Sequence, residues 1–284
     1  MPKIKKRIGE NIPSRRVLIV NTVLDVLVIA ILIRSIILRN FDNAFVCLLT
    51  LLLFGVPRFV TRTLRIRLPE TLEIIVLFFI FGAEILGELG NYYQNFPHWD
   101  ILLHTTRGFL CAALGFSLVD ILNRTERIRL NLSPLFVAIV AFCFSMTIGV
   151  LWEFFEFGAD RIFMTDMQKD TVINAISTTV PEIAGNGGKA TVIRDISSVA
   201  VNGNTLPIDG YLDIGLYDTI EDMFVNFIGA VVFSVIGYFY IKHRRDGSTA
   251  GKFAERFIPV VSDDENTEIA QSADNASADD DNSN

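Results

Sequence analysis

Six apolar stretches of helix length constrain this chain more than any other feature. They run Val17–Leu38, Ala44–Val60, Leu72–Gly90, Ile101–Leu122, Pro134–Phe157 and Thr219–Ile241. A bilayer core about 30 Å thick is crossed by around 20 mostly apolar residues in a helix, and each stretch meets that length or comes close. The expected fold class is an all-α polytopic membrane protein with six transmembrane helices. The second stretch is the shortest and runs into Gly55 and Pro57. The first does not read as a cleaved leader. Its apolar run is too long, it carries Asp25 and Arg34, and no small-residue cleavage site follows.

Lys and Arg in the short connections set the orientation. The N-terminal stretch holds Lys3, Lys5, Lys6, Arg7, Arg15 and Arg16. Arg58, Arg62, Arg65 and Arg67 follow span two, Arg124, Arg127 and Arg129 follow span four, and Lys242, Arg244 and Arg245 follow span six. In its short connections the alternate side has only Arg39 near the first turn and no Lys or Arg between Asn91 and Asp100, while the four over 158–217 count little in so long a loop. Both termini are therefore expected in the cytoplasm, with the protein in the cytoplasmic membrane and the lipid bilayer as its surroundings. The expected organisation is a basic N-terminus over 1–16, helices one to five over 17–157, an extracytoplasmic loop over 158–217, helix six over 218–241 and a cytoplasmic tail over 242–284.

Composition sharpens two exclusions. Between Ser262 and Asn284 stand eight acids and no Lys or Arg, and the −7 of the whole chain becomes +1 once they are set aside. The tail, polar and poor in aromatics, is expected to be disordered. No nucleic-acid partner is expected, because the basic residues form short clusters between apolar runs. Cys47, Cys111 and Cys143 all lie inside apolar runs and read as small hydrophobes. The long connection between spans five and six contains a flexible Gly185-Asn186-Gly187-Gly188, then an expected strand over Thr191–Val201, an Asn202-Gly203 turn and a return strand near Thr205–Ile208. It reads as a small extracytoplasmic β-hairpin insertion and a candidate surface for a partner over 185–210.

Ionisable residues inside spans are costly, so their placement carries information. Glu84 and Glu88 close span three, four residues apart. Asp100, His104, Arg107 and Gly108 share one stripe at the start of span four. Glu153, Glu156 and Asp160 share a face at the end of span five, and Asp218, Asp222, Asn226 and Gly229 lie along one side of span six. Spans three and five end outside and four and six begin there, so chain threading places all four sets at one depth. Glu153 and Asp222 lie about one turn, roughly 5 Å, beneath the outer edge.

Nine carboxylates (Glu84, Glu88, Asp100, Glu153, Glu156, Asp160, Asp218, Glu221, Asp222) face only Arg107, Arg161 and His104 as cationic candidates. They cannot all ionise in a low-dielectric pocket. Some face water, some hold protons, or a divalent metal ion binds. His104, Glu153, Glu156 and Asp222 are the candidate ligands and the candidate catalytic residues. Glu84, Glu88, Asp100, Arg107, Asp160, Asp218 and Asn226 form the supporting cluster. Carboxylates with one imidazole suit Mg, Mn or Zn, while the lack of Cys and of a second His argues against a structural zinc site. Plainer readings stand beside these. Glu153 and Glu156 serve equally as the wet end of a span, and Asp218-Thr219-Ile220-Glu221 resembles a helix-capping box.

These residues resemble those of the YjdF-type bacterial membrane proteins, a family of unknown function. The likeness covers Asp100 to Ile241 and rests on His104, Gly108, Trp152, Glu153, Glu156, Asp218, Asp222, Asn226 and Gly229. A looser similarity links the chain to VanZ-like membrane proteins. Neither resemblance implies a reaction. The residues themselves leave three functions open. A structural or partner-binding role would use the cluster to order helix ends. An outer-leaflet, metal-assisted hydrolase or transferase would act on a lipid-linked or envelope substrate, with Glu153 or Glu156 as base. An ion-coupled transporter would bind its cation there, although such sites usually lie at the midplane.

Overall fold

The structure, a computed structural model, describes residues 14–64, 66–124, 132–180, 183, 188–243, 255–258 and 260–261. Lys3, Lys5, Lys6, Arg7, Arg65, Arg127, Arg129, Arg244 and Arg245, residues 184–187 of the expected glycine break and the whole acidic tail lie outside the described residues. Described elements are mostly helical, with small antiparallel strand pairs. They fall into two compact units, 1–147 with 225–284, and 148–224.

In the first unit α1 covers Arg15–Ile37. Ser14 caps it, its hydroxyl oxygen accepting the Val17 N–H at 3.2 Å. Helix α2 (Phe41–Leu53) is capped in the same way by Asn40, and α3 (Val56–Leu64) follows after a break at Phe54-Gly55. Pro57 sits in the first turn of α3, where its missing N–H costs nothing. Strand β1 (Ile66–Arg67) pairs antiparallel with the last described segment, β8 (Val260–Val261).

The expected third span takes an unexpected form. Helix α4 (Glu70–Ile80) continues as a π-helix over Phe81–Leu89. Its i→i+5 ladder is rare at such length, and nothing in hydropathy distinguishes it from an α-helix. Among the described residues, helices α1, α2–α3, α6 (Trp99–Arg124), α7 (Pro134–Phe163) and α8 (Leu216–His243) are the five long and apolar enough to cross a membrane. The sequence-based count was six. The short helix α5 (Tyr92–Asn95) precedes α6.

Two apolar cores hold the first unit. Val17, Leu24, Val28, Cys47, Phe54, Leu77, Ile80 and Ile85 join α1, α2 and α4 with its π extension. Leu72, Ala112, Ala113, Phe116, Val137, Ala141, Ala230, Phe233 and Tyr240 join α4, α6, α7 and α8. Helices α6 and α8 cross at two glycines. A Cβ on Gly108 would collide with the Asn226 carbonyl oxygen, and one on Gly229 with that of Thr105. Small residues of this kind let membrane helices approach backbone to backbone. Ser145 of α7 donates to the Gly108 carbonyl at 2.7 Å. Outside these contacts the helices expose large apolar side chains such as Leu18, Ile19, Val23 and Val26, as a lipid-facing surface requires.

The second unit comprises the end of α7, the connecting segment and the start of α8. Helix α7 runs to Phe163 and α8 begins at Leu216, so the connection is shorter at both ends than the expected 158–217. The Asp213 carboxylate accepts the Tyr217 N–H at 3.0 Å and caps α8, so Asp218 does not start a capping box. The sequence predicts a single β-hairpin; the described residues of the segment form three two-stranded ladders. β2 (Thr171–Ile173) pairs with β7 (Tyr211–Asp213), β3 (Ile176–Thr178) with β4 (Thr191–Ile193), and β5 (Ala200–Val201) with β6 (Asn204–Thr205). The Asn202-Gly203 turn is where expected, with φ of 53° and 80°, as a two-residue hairpin of this hand requires. The strand expected over Thr191–Val201 breaks because Asp195 takes φ 56°, outside the β region.

Candidate functional site

Three acids of the second unit converge. Glu153 and Glu156, one turn apart on α7, and Asp222 on α8 each offer a carboxylate oxygen, and these oxygens lie within 4.8 Å of one another. Their exposures are 4%, 6% and 3%. The i, i+3 spacing puts the two glutamates on one face of α7. The flanking Phe154, Phe155 and Phe157 point outward and stay exposed. The Trp152 indole N–H donates to Glu156 Oε1 at 2.6 Å and fixes that oxygen.

Asp160 and Asp218, placed in the supporting cluster by sequence, bind the loop after α7. Asp160 accepts the Thr165 hydroxyl at 2.7 Å and the backbone N–H groups of Met167 at 2.7 Å and Gln168 at 2.9 Å. Asp218 accepts the Lys169 N–H at 3.1 Å, and the Gln168 amide donates to the Thr219 hydroxyl at 2.6 Å. Nearby, burial raises the Asp170 carboxyl above the usual carboxylate range, reinforced by the charges of Asp166, Asp213 and Asp160. Asp213, which caps α8, was missed by the sequence reading. Its signal, an Asp four residues before Tyr217, is too common to select.

In the first unit Asp100, His104 and Arg107 form the expected stripe on α6. His104, 7% exposed, has its Nε2 3.4 Å from Asp100 Oδ1 and its Nδ1 3.0 Å from Arg107 Nη2. A guanidinium only donates, so Nδ1 accepts and Nε2 carries the proton. This arrangement holds a neutral imidazole with both nitrogens engaged, and a metal ion at His104 would displace one of them. Glu84 is half-buried and Glu88 exposed on the π-helix.

Asn226, also in the first unit, is fully buried. Its amide N–H faces Met146 Sδ at 3.6 Å, while its Oδ1 has no hydrogen-bond partner among the described residues. Asp25 of α1 accepts from Asn21 at 2.7 Å and is acted on electrostatically by Arg58 of α3.

The chain is similar to an uncharacterized protein of Thermotoga maritima, 26% identical over 95 residues, which are 34% of this chain and 47% of that protein. The match thus spans about half of that relative's length. No solved structure matches the chain. The comparisons name neither the YjdF-type nor the VanZ-like proteins. The family described as predicted membrane protein (DUF2238) matches residues 20–243, most of the chain and every candidate site residue. The multi-pass hydropathy agrees with this match, and the chain belongs to that family of predicted membrane proteins.

Proposed function

We propose that this is a six-span protein of the bacterial cytoplasmic membrane, both termini cytoplasmic, that holds a divalent cation on Glu153, Glu156 and Asp222 near the extracytoplasmic leaflet. The observation that carries this reading is the convergence of three carboxylates, each less than a tenth exposed, within 4.8 Å. At an effective dielectric of 20, two charges at that distance repel by about 3 kcal/mol, a cost that a shared cation relieves. An all-oxygen donor set favours a hard ion. Ligands on opposite sides of Ca²⁺ stand about 4.6–5.2 Å apart, and those of Mg²⁺ about 4 Å apart. Separations within 4.8 Å select none of Ca²⁺, Mg²⁺ and Mn²⁺ over the others.

The role assigned is structural. The ion ties the end of α7 to the start of α8, the two helices that frame the strand-paired insertion, and so orders that insertion for an extracytoplasmic partner. The YjdF-type resemblance is retained as a proposal on the same motif residues. The exposed Phe154, Phe155 and Phe157 beside the acids favour a second reading, a metal-assisted hydrolase or transferase acting on a lipid-linked substrate.

Elemental analysis of full-length protein purified in detergent tests the cation. One divalent ion per chain is expected, and its loss in Glu153→Gln and in Asp222→Asn. Wild-type protein that binds no Ca²⁺, Mg²⁺, Mn²⁺ or Zn²⁺ on titration would overturn the proposal.

A further inference from the structure

Asp25, Arg58 and Glu73 form a second charged group, separate from the carboxylate trio and wholly within the first unit. Asp25 lies on α1, Arg58 on α3 and Glu73 in the first turn of α4. Arg58 acts electrostatically on both acids. Yet among the described residues no hydrogen bond or ion pair joins it to either one. The Asn21 amide occupies one Asp25 oxygen at 2.7 Å. A cavity of about 20 Å³ opens here, lined by Asn21, Arg58 and Glu73 with Val17, Pro57 and Leu77 among its apolar walls.

Opposite charges that face each other across a gap without touching are complementary to a ligand carrying both signs. The cavity has room for about one water, and a primary ammonium group is of similar size. Arg58 is exposed, and Arg62 stands one turn further along α3, so an anion at the mouth meets guanidinium donors. The notch lies where α1 and α4 both begin. At such a span end the surrounding bilayer presents lipid headgroups. Within the cavity wall Glu73 is the carboxylate and Arg58 the guanidinium, so a ligand with both signs meets a partner for each.

We propose that this notch binds the headgroup of an aminophospholipid, its phosphate on Arg58 and its primary ammonium on Glu73. A phosphate diester next to –NH₃⁺ matches the order of charges from mouth to floor. A quaternary choline group is too large for a cavity of one-water size and has no N–H to donate. A glycerol headgroup has no cation for Glu73.

Native mass spectrometry of full-length protein in detergent, supplied with equal phosphatidylethanolamine, phosphatidylcholine and phosphatidylglycerol, tests this. Phosphatidylethanolamine is expected to be retained roughly fivefold over the other two. Arg58→Gln and Glu73→Gln are each expected to abolish the preference, while Glu70→Gln, which removes an exposed partner of Arg16, keeps it. Cation binding by the Glu153, Glu156 and Asp222 trio serves as the folding control and should be unchanged. If that trio binds no cation, monodisperse elution of both variants takes over as the control. Displacement of the lipid by soluble phosphoethanolamine supports the headgroup as the recognised part. Equal retention of the three lipids overturns the proposal, as does a preference that survives both substitutions. Tight binding of soluble phosphoethanolamine without any lipid preference overturns the lipid assignment.

Discussion

Replacing Asp222 by Asn separates repulsion among the three acids from their attraction to a cation, because the two effects have opposite signs. The substitution keeps shape and removes one charge. Glu153, Glu156 and Asp222 offer oxygens within 4.8 Å of one another, so each ionised pair costs about 3 kcal/mol at an effective dielectric of 20. Asp222 takes part in two such pairs. Wild-type protein stripped of metal can escape by protonating one carboxyl, which at pH 7 costs about 4 kcal/mol for a group of ordinary acidity. The gain on removing the charge is therefore capped at about 4 kcal/mol. With the cation present the order reverses: a site occupied at a hundredfold excess over its dissociation constant stabilises by about 2.7 kcal/mol, and the variant forfeits it. Thermal unfolding of both proteins in detergent, in chelator and in millimolar Ca²⁺ or Mg²⁺, checks the crossover. Asp222→Asn should melt above wild type in chelator, and its midpoint should not respond to the ion. Wild type insensitive to every ion tested, together with a variant that melts lower in chelator, would refute the reasoning.

Three other outcomes are expected. Gly229→Ala forces a methyl group against the Thr105 carbonyl where α6 and α8 cross, and should cost about 3 kcal/mol, read as a lowered melting midpoint. Partial desolvation and neighbouring acids raise the Asp170 carboxyl above the usual carboxylate range, so its folded form binds a proton more tightly than its unfolded form. Its contribution to stability is present at low pH and is lost as pH rises through the raised value. Asp170→Asn should therefore protect the connecting segment from protease at pH 7 and flatten that pH dependence. A cysteine placed at Asn204, the exposed first residue of β6, should react in intact cells with a membrane-impermeant maleimide if the insertion is extracytoplasmic. Labelling only after lysis would reverse the orientation.

Much of the fold was legible because its signals are local. An apolar run has to be about 20 residues long to cross a bilayer, and α1, α6, α7 and α8 coincide with such runs. The i, i+3 spacing already put Glu153 and Glu156 on one face, and Asn202-Gly203 already specified a two-residue turn. The π-helix over Phe81–Leu89 was not legible, since its hydropathy equals that of an ordinary span and only its hydrogen-bond register differs. Span two divides at Gly55, a break that Gly and Pro announced without revealing how the chain resumes.

Non-local pairings belonged to the tertiary structure. Glu153 and Asp222 stand 69 positions apart, and spacing along the chain says nothing of the pair except that both stand near span ends. Only packing brings their oxygens within 4.8 Å. The same holds for β3 with β4, for β2 with β7, and for Arg58 answering Asp25 and Glu73 across three helices. Helix length, facing and turn chemistry are properties of neighbouring residues, so the amino-acid order determined them by itself. Which buried acid meets which depends on loop closure and interhelical packing, and the folded chain alone decided that.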